Sequence, residues 1–444
     1  MFGSIRSIAS LLVVLVLQVV ALTSPLANSR TLVIYDSKVS ENFKETHVQL
    51  LNLLSSSTSG LQVKAINTDE ETKETVELFR NGYRLYQNVM IFPTRAKELS
   101  AEISSEDLLK FSNDGGDFFI ISNQDGTQTD VALFLNELGI YPSPKGYRLI
   151  DYHEESKASI ESITSPQFLN NAIVPESTVV SKLPYSEGAS ALLSNSEYLI
   201  PVLKASKTSF SHNVDEGLVH SSSTWHVGSQ GFLIVGFQGL NNARVTWIGS
   251  ESIFSDDSFD AELVASLINW TFQITGLIKT EFVNHYKLVD GEVLENDTNY
   301  KIKDTSRYEI GISQWDGAKW IPFEGVEDIQ LEFVMLDPYY RLNLASSGVR
   351  GSAAVYSVDF QIPDQHGMFT YKVDYKRPGY SFIEEDIVVP IRHLANDEYP
   401  RSWEIPNAWV YLSSALTVMI AWFFFVVFFI YSGKDAVTSE KKSK

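Results

Sequence analysis

Short apolar runs alternate with polar stretches in the first third of the chain. Residues 31–35, 61–66, 88–92 and 117–122 are near-continuous apolar segments, as strands read when both faces of their sheet are covered. Between them Phe43, Val48, Leu50, Leu51 and Leu54 recur at helical spacing, and residues 72–80, 104–111 and 131–138 carry the same period. Ser104 followed by Asp107 supplies a helix start, and Asn113-Asp114-Gly115-Gly116 a stop. The alternation predicts an α/β domain built on a parallel sheet with helices on both faces. Residues 139–146 interrupt it with Pro142, Pro144 and two glycines, a rigid turn or connection, and a polar stretch then runs to Ser206. Strands are predicted again at 198–203, 232–237 and 244–249, the last two joined in hairpin fashion through Gly239-Leu240-Asn241-Asn242, and an amphipathic helix at 259–271.

From about Ile278 to Leu394 the period falls to two. Phe369, Tyr371, Val373 and Tyr375 alternate with Thr370, Lys372, Asp374 and Lys376, and Tyr356, Val358, Phe360 and Ile362 repeat the pattern. Turn sequences at Trp315-Asp316-Gly317, Asp337-Pro338 and Arg377-Pro378-Gly379 punctuate these half-buried strands. A β-sandwich of immunoglobulin type is expected, because each strand must bury one face against a second sheet.

The pattern changes once more near the end. Residues 408–433 carry no charged side chain, and 409–431 are long enough to cross the ~30 Å hydrocarbon core as a helix. Thirteen Val, Leu, Ile and Phe residues lie in that run. At about 0.3–0.6 kcal/mol each, their insertion outweighs the polar drag of Ser413, Ser414 and Thr417. Trp409, Tyr411 and Tyr431 stand where interfacial anchors belong, and Lys434, Lys441, Lys442 and Lys444 follow, which predicts a cytosolic tail. Lys441 and Lys442 stand fourth and third from the end and read as a di-lysine retrieval signal for the endoplasmic reticulum; attraction of these lysines to anionic lipid is the alternative. At the other end Arg6, the apolar run 8–22 and the small residues after it read as a secretory signal peptide, or as an uncleaved anchor. The expected organisation is a signal peptide (1–29), a luminal α/β domain (30–275), a luminal β-sandwich (276–395), a juxtamembrane connector (396–407), a transmembrane helix (408–431) and a cytosolic tail (432–444).

Composition narrows the chemistry. The 444 residues include no cysteine, which excludes disulfides, thiol nucleophiles and cysteine zinc sites. The net charge is −20, and most of the basic residues outside 30–407 lie in the tail, so the exported segment is more acidic still. That argues against nucleic acid as a partner. No Gly-x-Gly-x-x-Gly, phosphate-binding Gly-Lys-Ser/Thr loop or Gly-x-Ser-x-Gly elbow is present. A ligand on a parallel sheet gathers at the carboxyl ends of the strands, which singles out Asp36, Ser37, Pro93, Thr94, Ser122 and Asn123, although strand-end turns explain the same residues. His212, His220 and His226, with Asp215 and Glu216, fit no metal-ligand spacing. Asn269-Trp270-Thr271 and Asn296-Asp297-Thr298 are N-glycosylation sequons, with Asn296 in the more turn-like setting.

Four longer segments carry a resemblance. They are Phe134-Leu-Asn-Glu-Leu-Gly-Ile-Tyr-Pro-Ser-Pro-Lys-Gly146, Gly228-Ser-Gln-Gly-Phe232 with Val235-Gly-Phe-Gln238, Asn241-Asn-Ala-Arg244 with Trp247-Ile-Gly-Ser250, and the stretch from Arg392 to Glu404. Through them the whole chain resembles the family of 48 kDa, non-catalytic subunits of the oligosaccharyltransferase complex, in its fungal form. The resemblance implies a docking subunit that supports transfer of a dolichyl-diphosphate-linked glycan to asparagine. It implies three partners: a multispanning catalytic subunit, a ribophorin-II-like subunit and a small defender-against-cell-death-like subunit. It assigns no catalytic, cofactor-binding or metal-binding residue. The N-terminal part also resembles a domain shared with gliding and intraflagellar-transport proteins, a relative of glutamine-amidotransferase-like sheets whose nucleophilic cysteine this chain lacks. Two other readings stay open: a membrane-anchored luminal hydrolase or amidotransferase-like enzyme using a strand-end residue such as Ser122, and a receptor that binds glycans through Trp315 and Trp320.

Overall fold

The computed structural model describes residues 29–39, 43–55, 61–68, 76–94, 99, 103–153, 160–213, 216, 219–220, 223–289, 291–294, 299–399 and 408–439. The expected signal peptide up to residue 28, Asp215, Asn296, connector residues 400–407, Lys441 and Lys442 fall outside them.

The first part of the chain is built on strands β1 (Arg30–Tyr35), β2 (Gln62–Asn67), β3 (Asn88–Ile91), β4 (Asp117–Ile121), β5 (Ile140–Pro142), β6 (Ala191–Leu193), β7 (Leu199–Lys204), β8 (Phe232–Gln238) and β9 (Arg244–Ile248). They form one sheet in the order β2-β1-β3-β4-β9-β8-β6-β5, with β7 also paired to β8. The run from β2 to β9 is parallel, as the apolar segments predict. The remaining pairs are antiparallel, so the sheet is mixed rather than parallel throughout. The reason lies in the loops: a connection as short as the one from Gln238 to Arg244 reverses the chain, and a parallel return needs a crossover of a dozen residues or more.

Residues of the central strands alternate between two cores. Val33, Met90 and Phe119 point to one face, where Leu50 and Leu54 of α1 (Val48–Ser55) and Leu263, Val264, Leu267 and Ile268 of a later helix cover them. Leu32, Ile34, Val89, Ile91, Phe118 and Ile120 point to the other, beneath Leu108 and Phe111 of α2 (Ser105–Asn113) and Val131, Phe134 and Leu135 of α3 (Thr129–Leu138). Burial on both faces is why these strands are apolar without a period. Ser104 caps α2 in a reciprocal box with Asp107, as its sequence predicts. The later helix, α4 (Ala261–Thr271), starts on an Asp260 cap.

Residues 76–80 are not helical, against the expectation for 72–80. Phe79–Arg80 pairs with Tyr83–Arg84 in a hairpin whose turn residues Asn81 (φ 52) and Gly82 (φ 82) are both left-handed. Asn-Gly is the favoured sequence for that turn, and it overrides the helical spacing of the apolar residues. The polar stretch before Ser206 also holds more structure than its composition conveys: Ile163, Ile173, Leu183 and Tyr185 enter the first core through short strands and turns.

The second part is strand-rich. Among the described residues, a six-stranded and a five-stranded sheet share one core. Tyr308, Ile310, Ile312 and Tyr356 of one sheet meet Phe333, Phe369, Tyr371 and Val373 of the other. Tyr308 stacks on Tyr371 at 5.5 Å, and the Tyr371 hydroxyl lies 2.8 Å from Ser306 Oγ. The predicted alternation holds at Phe369–Tyr375, where the odd positions are buried and Asp374 is exposed.

Where the two parts meet, a buried guanidinium organises the backbone. Arg244 is fully buried. It donates to the carbonyls of Trp270 (2.7 Å), Thr275 (2.7 Å) and Gly276 (2.8 Å). Its backbone N–H donates to Asp117 Oδ1 at 2.8 Å, and Gln273 Nε2 donates to both oxygens of that carboxylate at 3.0 Å. The turn 377–382 of the strand-rich part docks on the same spot: Trp270 Nε1 donates to Gly379 O, Gln238 Nε2 to Tyr380 O, and the Phe382 N–H to Asn242 Oδ1. Gly276 (φ +69) is required here, because a Cβ would lie 2.3 Å from Gly379 O.

The final element, α5 (Ala408–Ser439), is one continuous helix whose Ala408–Tyr431 portion is long and apolar enough to span a bilayer. Most of its apolar side chains are exposed rather than covered by the rest of the chain. Ser413, Ser414 and Thr417 return their hydroxyls to the carbonyls of Val410, Tyr411 and Ser413, so no polar group need face lipid unpaired.

Candidate functional site

Strands β1, β3, β4 and β9 run parallel, so their carboxyl ends share one edge of the sheet. The chain leaves β1 for β2 on one side and returns to β3 on the other, and a sheet opens a crevice where its winding reverses in this way. Two clefts lie along this edge. The larger, about 560 Å³, is lined by Val39, Thr46, His47, Asn123, Gln124, Asp125, Ser186, Glu187, Glu251, Ser252 and Ser255. The smaller, about 310 Å³, shares Asp125 and continues through Thr94, Thr127 and Gln128 to Pro142 and Lys145.

Local chemistry sets each wall. Beyond β4 the Asn123 side chain accepts the Asp125 N–H at 3.0 Å, closing a turn that presents Asp125 to both clefts. Opposite it, Glu187 holds a left-handed backbone (φ 50) and its carbonyl accepts the Gln124 N–H at 2.8 Å. Beyond β9 the Ser250 side chain caps the turn that carries Glu251, and Ser252 Oγ accepts the Ser186 N–H. His47 stacks on Phe43 at 4.6 Å and meets the edge of Phe92 at 5.6 Å. Its Nδ1 is 2.9 Å from Thr46 Oγ1, and its Nε2 lies 3.7 Å from Glu251 Oε1 with no hydrogen-bond partner. Burial lowers its pKa, so the ring is neutral at pH 7.

The sequence-predicted strand-end residues divide. Asn123 and Thr94 line the clefts. Asp36 and Ser37 instead fix the loop after β1: Asp36 Oδ1 accepts the Lys38 N–H, and Ser37 exchanges two hydrogen bonds with Asn67. Ser122 is buried, with Trp247 Nε1 donating to its hydroxyl at 2.9 Å and Thr127 Oγ1 at 2.9 Å. Pro93 lines a small cavity together with Thr94, Gln128 and Val131. The cleft residues that sequence reading missed, His47, Glu187, Glu251 and Gln128, come from four separated loops and form no local motif.

The other candidates lie elsewhere. His212 and His226 are buried on paired strands, bonded to Ser223 O and Ser190 Oγ, and burial takes His226 down to about 4; His220 is exposed in the connecting loop. Among the described residues, no group of three or more His, Asp or Glu could hold a metal ion. Trp315 is buried and packs edge-on against Trp320, over whose ring Lys279 sits at 4.2 Å. Asn269 is on α4, flanked by fully buried Trp270 and Thr271, and the Thr271 hydroxyl is bonded to Leu267 O.

Known proteins resemble the chain along most of its length. The model for the OST48 N-terminal domain matches residues 22–274, and that for the OST48 middle domain residues 286–433. The subunit WBP1 of dolichyl-diphosphooligosaccharide–protein glycosyltransferase from Saccharomyces cerevisiae is 40% identical over 93% of this chain and 94% of its own. The 48 kDa subunit from Drosophila melanogaster is 31% identical over 83% of this chain and 86% of its own, and wbp1 from Schizosaccharomyces pombe 27% over 85% and 89%. A mixed α/β part, a strand-rich part and one apolar helix, matched in that order, make this chain a member of the OST48 family of oligosaccharyltransferase subunits.

Proposed function

We propose that this chain is a non-catalytic docking subunit of an oligosaccharyltransferase, supporting en bloc transfer of a dolichyl-diphosphate-linked glycan to asparagine in Asn-x-Ser/Thr sequons. The observation that carries this reading is the 40% identity with the S. cerevisiae subunit across 93% of the chain. In this reading the boundaries are those expected from sequence: luminal domains at 30–275 and 276–395, a connector to 407, a span at 408–431, and a cytosolic tail whose Lys441 and Lys442 return the protein to the endoplasmic reticulum. The first domain is then a binding-only relative of glutamine-amidotransferase-like sheets, since a chain without cysteine has no nucleophile for that chemistry. The partners are a multispanning catalytic subunit, a ribophorin-II-like subunit and a small defender-against-cell-death-like subunit. An exposed apolar helix with small residues at Ser413, Ser414 and Thr417 suits packing against their helices.

The enzyme alternative is disfavoured by Ser122, whose hydroxyl is buried and bonded to Trp247 and Thr127 rather than to a histidine base. Purification through this chain in mild detergent tests the proposal. Recovery of a multispanning transferase with transfer activity is expected; recovery of the chain alone, in detergent that preserves such complexes, counts against it.

A further inference from the structure

We propose that the end of the strand-rich part remote from the first domain rests on the bilayer surface, its exposed apolar side chains entering a neutral, zwitterionic headgroup layer. Strand pairing fixes which end this is. The turn 377–382, docked on the first domain, joins strands Gly367–Tyr375 and Ile383–Arg392, so Gly367 and Arg392 lie at the opposite end of their sheet. Lys301 pairs with Arg392, and Thr305 with Leu288 and Gln361, which brings the tip of the hairpin Ile278–Val289 and Glu292–Leu294 to that same end. Val334 pairs with Thr370 and adds the turn at 335–337. The last strand finishes here, and the chain continues from it to α5.

Exposed apolar side chains collect at this end. Val289, Val293 and Leu294 are exposed on the hairpin, Leu336 on its turn at 91%, and Met368 and Val388 on the outer face of the five-stranded sheet. The opposite end differs: beside the docked turn its loops present exposed Asp316, Lys319, Glu324 and Glu327. A cluster of this kind on an otherwise polar domain marks a surface that leaves water when its partner is present. The charges around the cluster are balanced within the chain. Lys287 pairs with Asp304 at 2.6 Å, Lys303 with Asp364 at 2.8 Å and Arg392 with Glu398 at 2.7 Å. Cations already neutralised in this way do not draw the domain to anionic lipid, so the contact is apolar and its lipid neutral.

The path of the chain identifies the occupant. Arg392 donates to both oxygens of Glu398 at 2.7 and 2.8 Å, and Glu398 also accepts the Ala395 N–H, which folds the start of the connector against the apolar end. Ten residue steps then lead from Glu398 to Ala408, where α5 begins. Fully extended, they reach at most about 35 Å. The apolar end is thereby held close to the bilayer that α5 crosses, and a contact too weak to retain a free domain retains a tethered one. Tyr399, exposed on the connector, adds an aromatic ring of the type that favours the headgroup level. This inference goes beyond the subunit reading: it rests on α5 as a span and is independent of the transferase complex.

A chain without cysteine accepts one fluorescent label at a chosen position. Leu336→Cys and Val293→Cys label the apolar end, Ala318→Cys the opposite end and Ala421→Cys the span. Each full-length variant is reconstituted in phosphatidylcholine vesicles containing nitroxide lipids labelled at the headgroup and along the acyl chain. Quenching at 336 and at 293 is expected to be at least about threefold that at 318, unchanged by added phosphatidylserine, with the label at 421 quenched as well. Leu336→Asp combined with Met368→Asp is expected to bring quenching at 293 down to the level at 318 while the melting curve matches the parent. Labels at 336 and 293 quenched no more than at 318 overturn the proposal, as does quenching at 293 that survives the double change or that requires phosphatidylserine. An unquenched label at 421 overturns it together with the span. In the assembled complex the labels at 336 and 293 are expected to stay accessible to nitroxide lipid; shielding there from both lipid nitroxide and aqueous iodide overturns lipid as the occupant and assigns the surface to a protein subunit.

Discussion

The domain junction and the groove made of the two carboxyl-edge clefts are both rich in polar side chains, and they differ in how densely the chain itself pairs them. At the junction Arg244 donates three hydrogen bonds to carbonyls of its own chain, and Gln273 and a backbone N–H satisfy Asp117, while Arg244 Nε and Gln238 Oε1 have no partner. In the groove His47 Nε2 and Gln128 Oε1 are buried without hydrogen-bond partners. Buried polar groups paired within the chain fix one arrangement of two domains, and since isolated unpaired atoms occur in both regions, lack of a partner does not by itself mark a ligand site. The difference lies in the three charged hydrogen bonds from one guanidinium at the junction, against the loop-borne polar side chains that line open clefts at the strand ends.

The largest effect that would break this contrast is at Arg244. Replacing it by methionine leaves the carbonyls of Trp270, Thr275 and Gly276 without their partner and removes the positive charge beside Asp117, at a cost of about 3–5 kcal/mol. Denaturant unfolding of the purified protein measures this. A loss below about 1 kcal/mol would remove the junction from the structural class.

A pH titration of stability sharpens the same comparison. Burial raises the Asp117 pKa from 3.8 to about 7, against the hydrogen bond from Gln273 and the nearby Arg244 charge. Burial in turn takes Arg244 down to about 10, opposed by Asp117. A carboxyl whose pKa is raised on folding contributes stability that is fully present below 3.8 and is lost as pH rises through about 7. His226 acts the other way: lowered to about 4, it contributes stability above 6.5 that is lost as pH falls through about 4. The two therefore oppose each other across this window. Asp117→Asn removes the first, so the variant loses stability more steeply than the parent on acidification from pH 7 to 4, by a difference on the order of a few kcal/mol. Parallel slopes would show that Asp117 does not carry the predicted proton.

Groove substitutions are expected to move stability least. Asp125→Asn and Glu251→Gln, at an exposed and a half-buried position, shift unfolding by less than about 1 kcal/mol. A much larger loss would place these carboxylates with Arg244 among the structural groups. The smallest expected effect is at the sequon on α4: Asn269→Gln leaves electrophoretic mobility before and after deglycosylation unchanged, because a glycan there would adjoin buried Trp270 and Thr271. A mobility shift would show that Asn269 is modified before α4 packs.

The sequence disclosed most where burial imposes a pattern. Apolar runs at 31–35, 88–92 and 117–122 are strands because both faces of the sheet are covered, and Ser104 with Asp107 sets the start of α2. Residues 76–80 went the other way because Asn81-Gly82 is a stronger local instruction than the spacing of Val76, Leu78 and Phe79. The groove was half legible. Parallel topology points to strand ends, and Thr94 and Asn123 do line it. His47, Glu187 and Glu251 come together only through the fold, and nothing local to any of them marks it for a ligand.

The non-catalytic role is tested most directly by incubating the full-length chain, free of other subunits, with a lipid-linked glycan donor and a sequon peptide. The account predicts no glycosylated peptide until the remaining subunits are restored. Glycosylated peptide formed by the chain alone would contradict it.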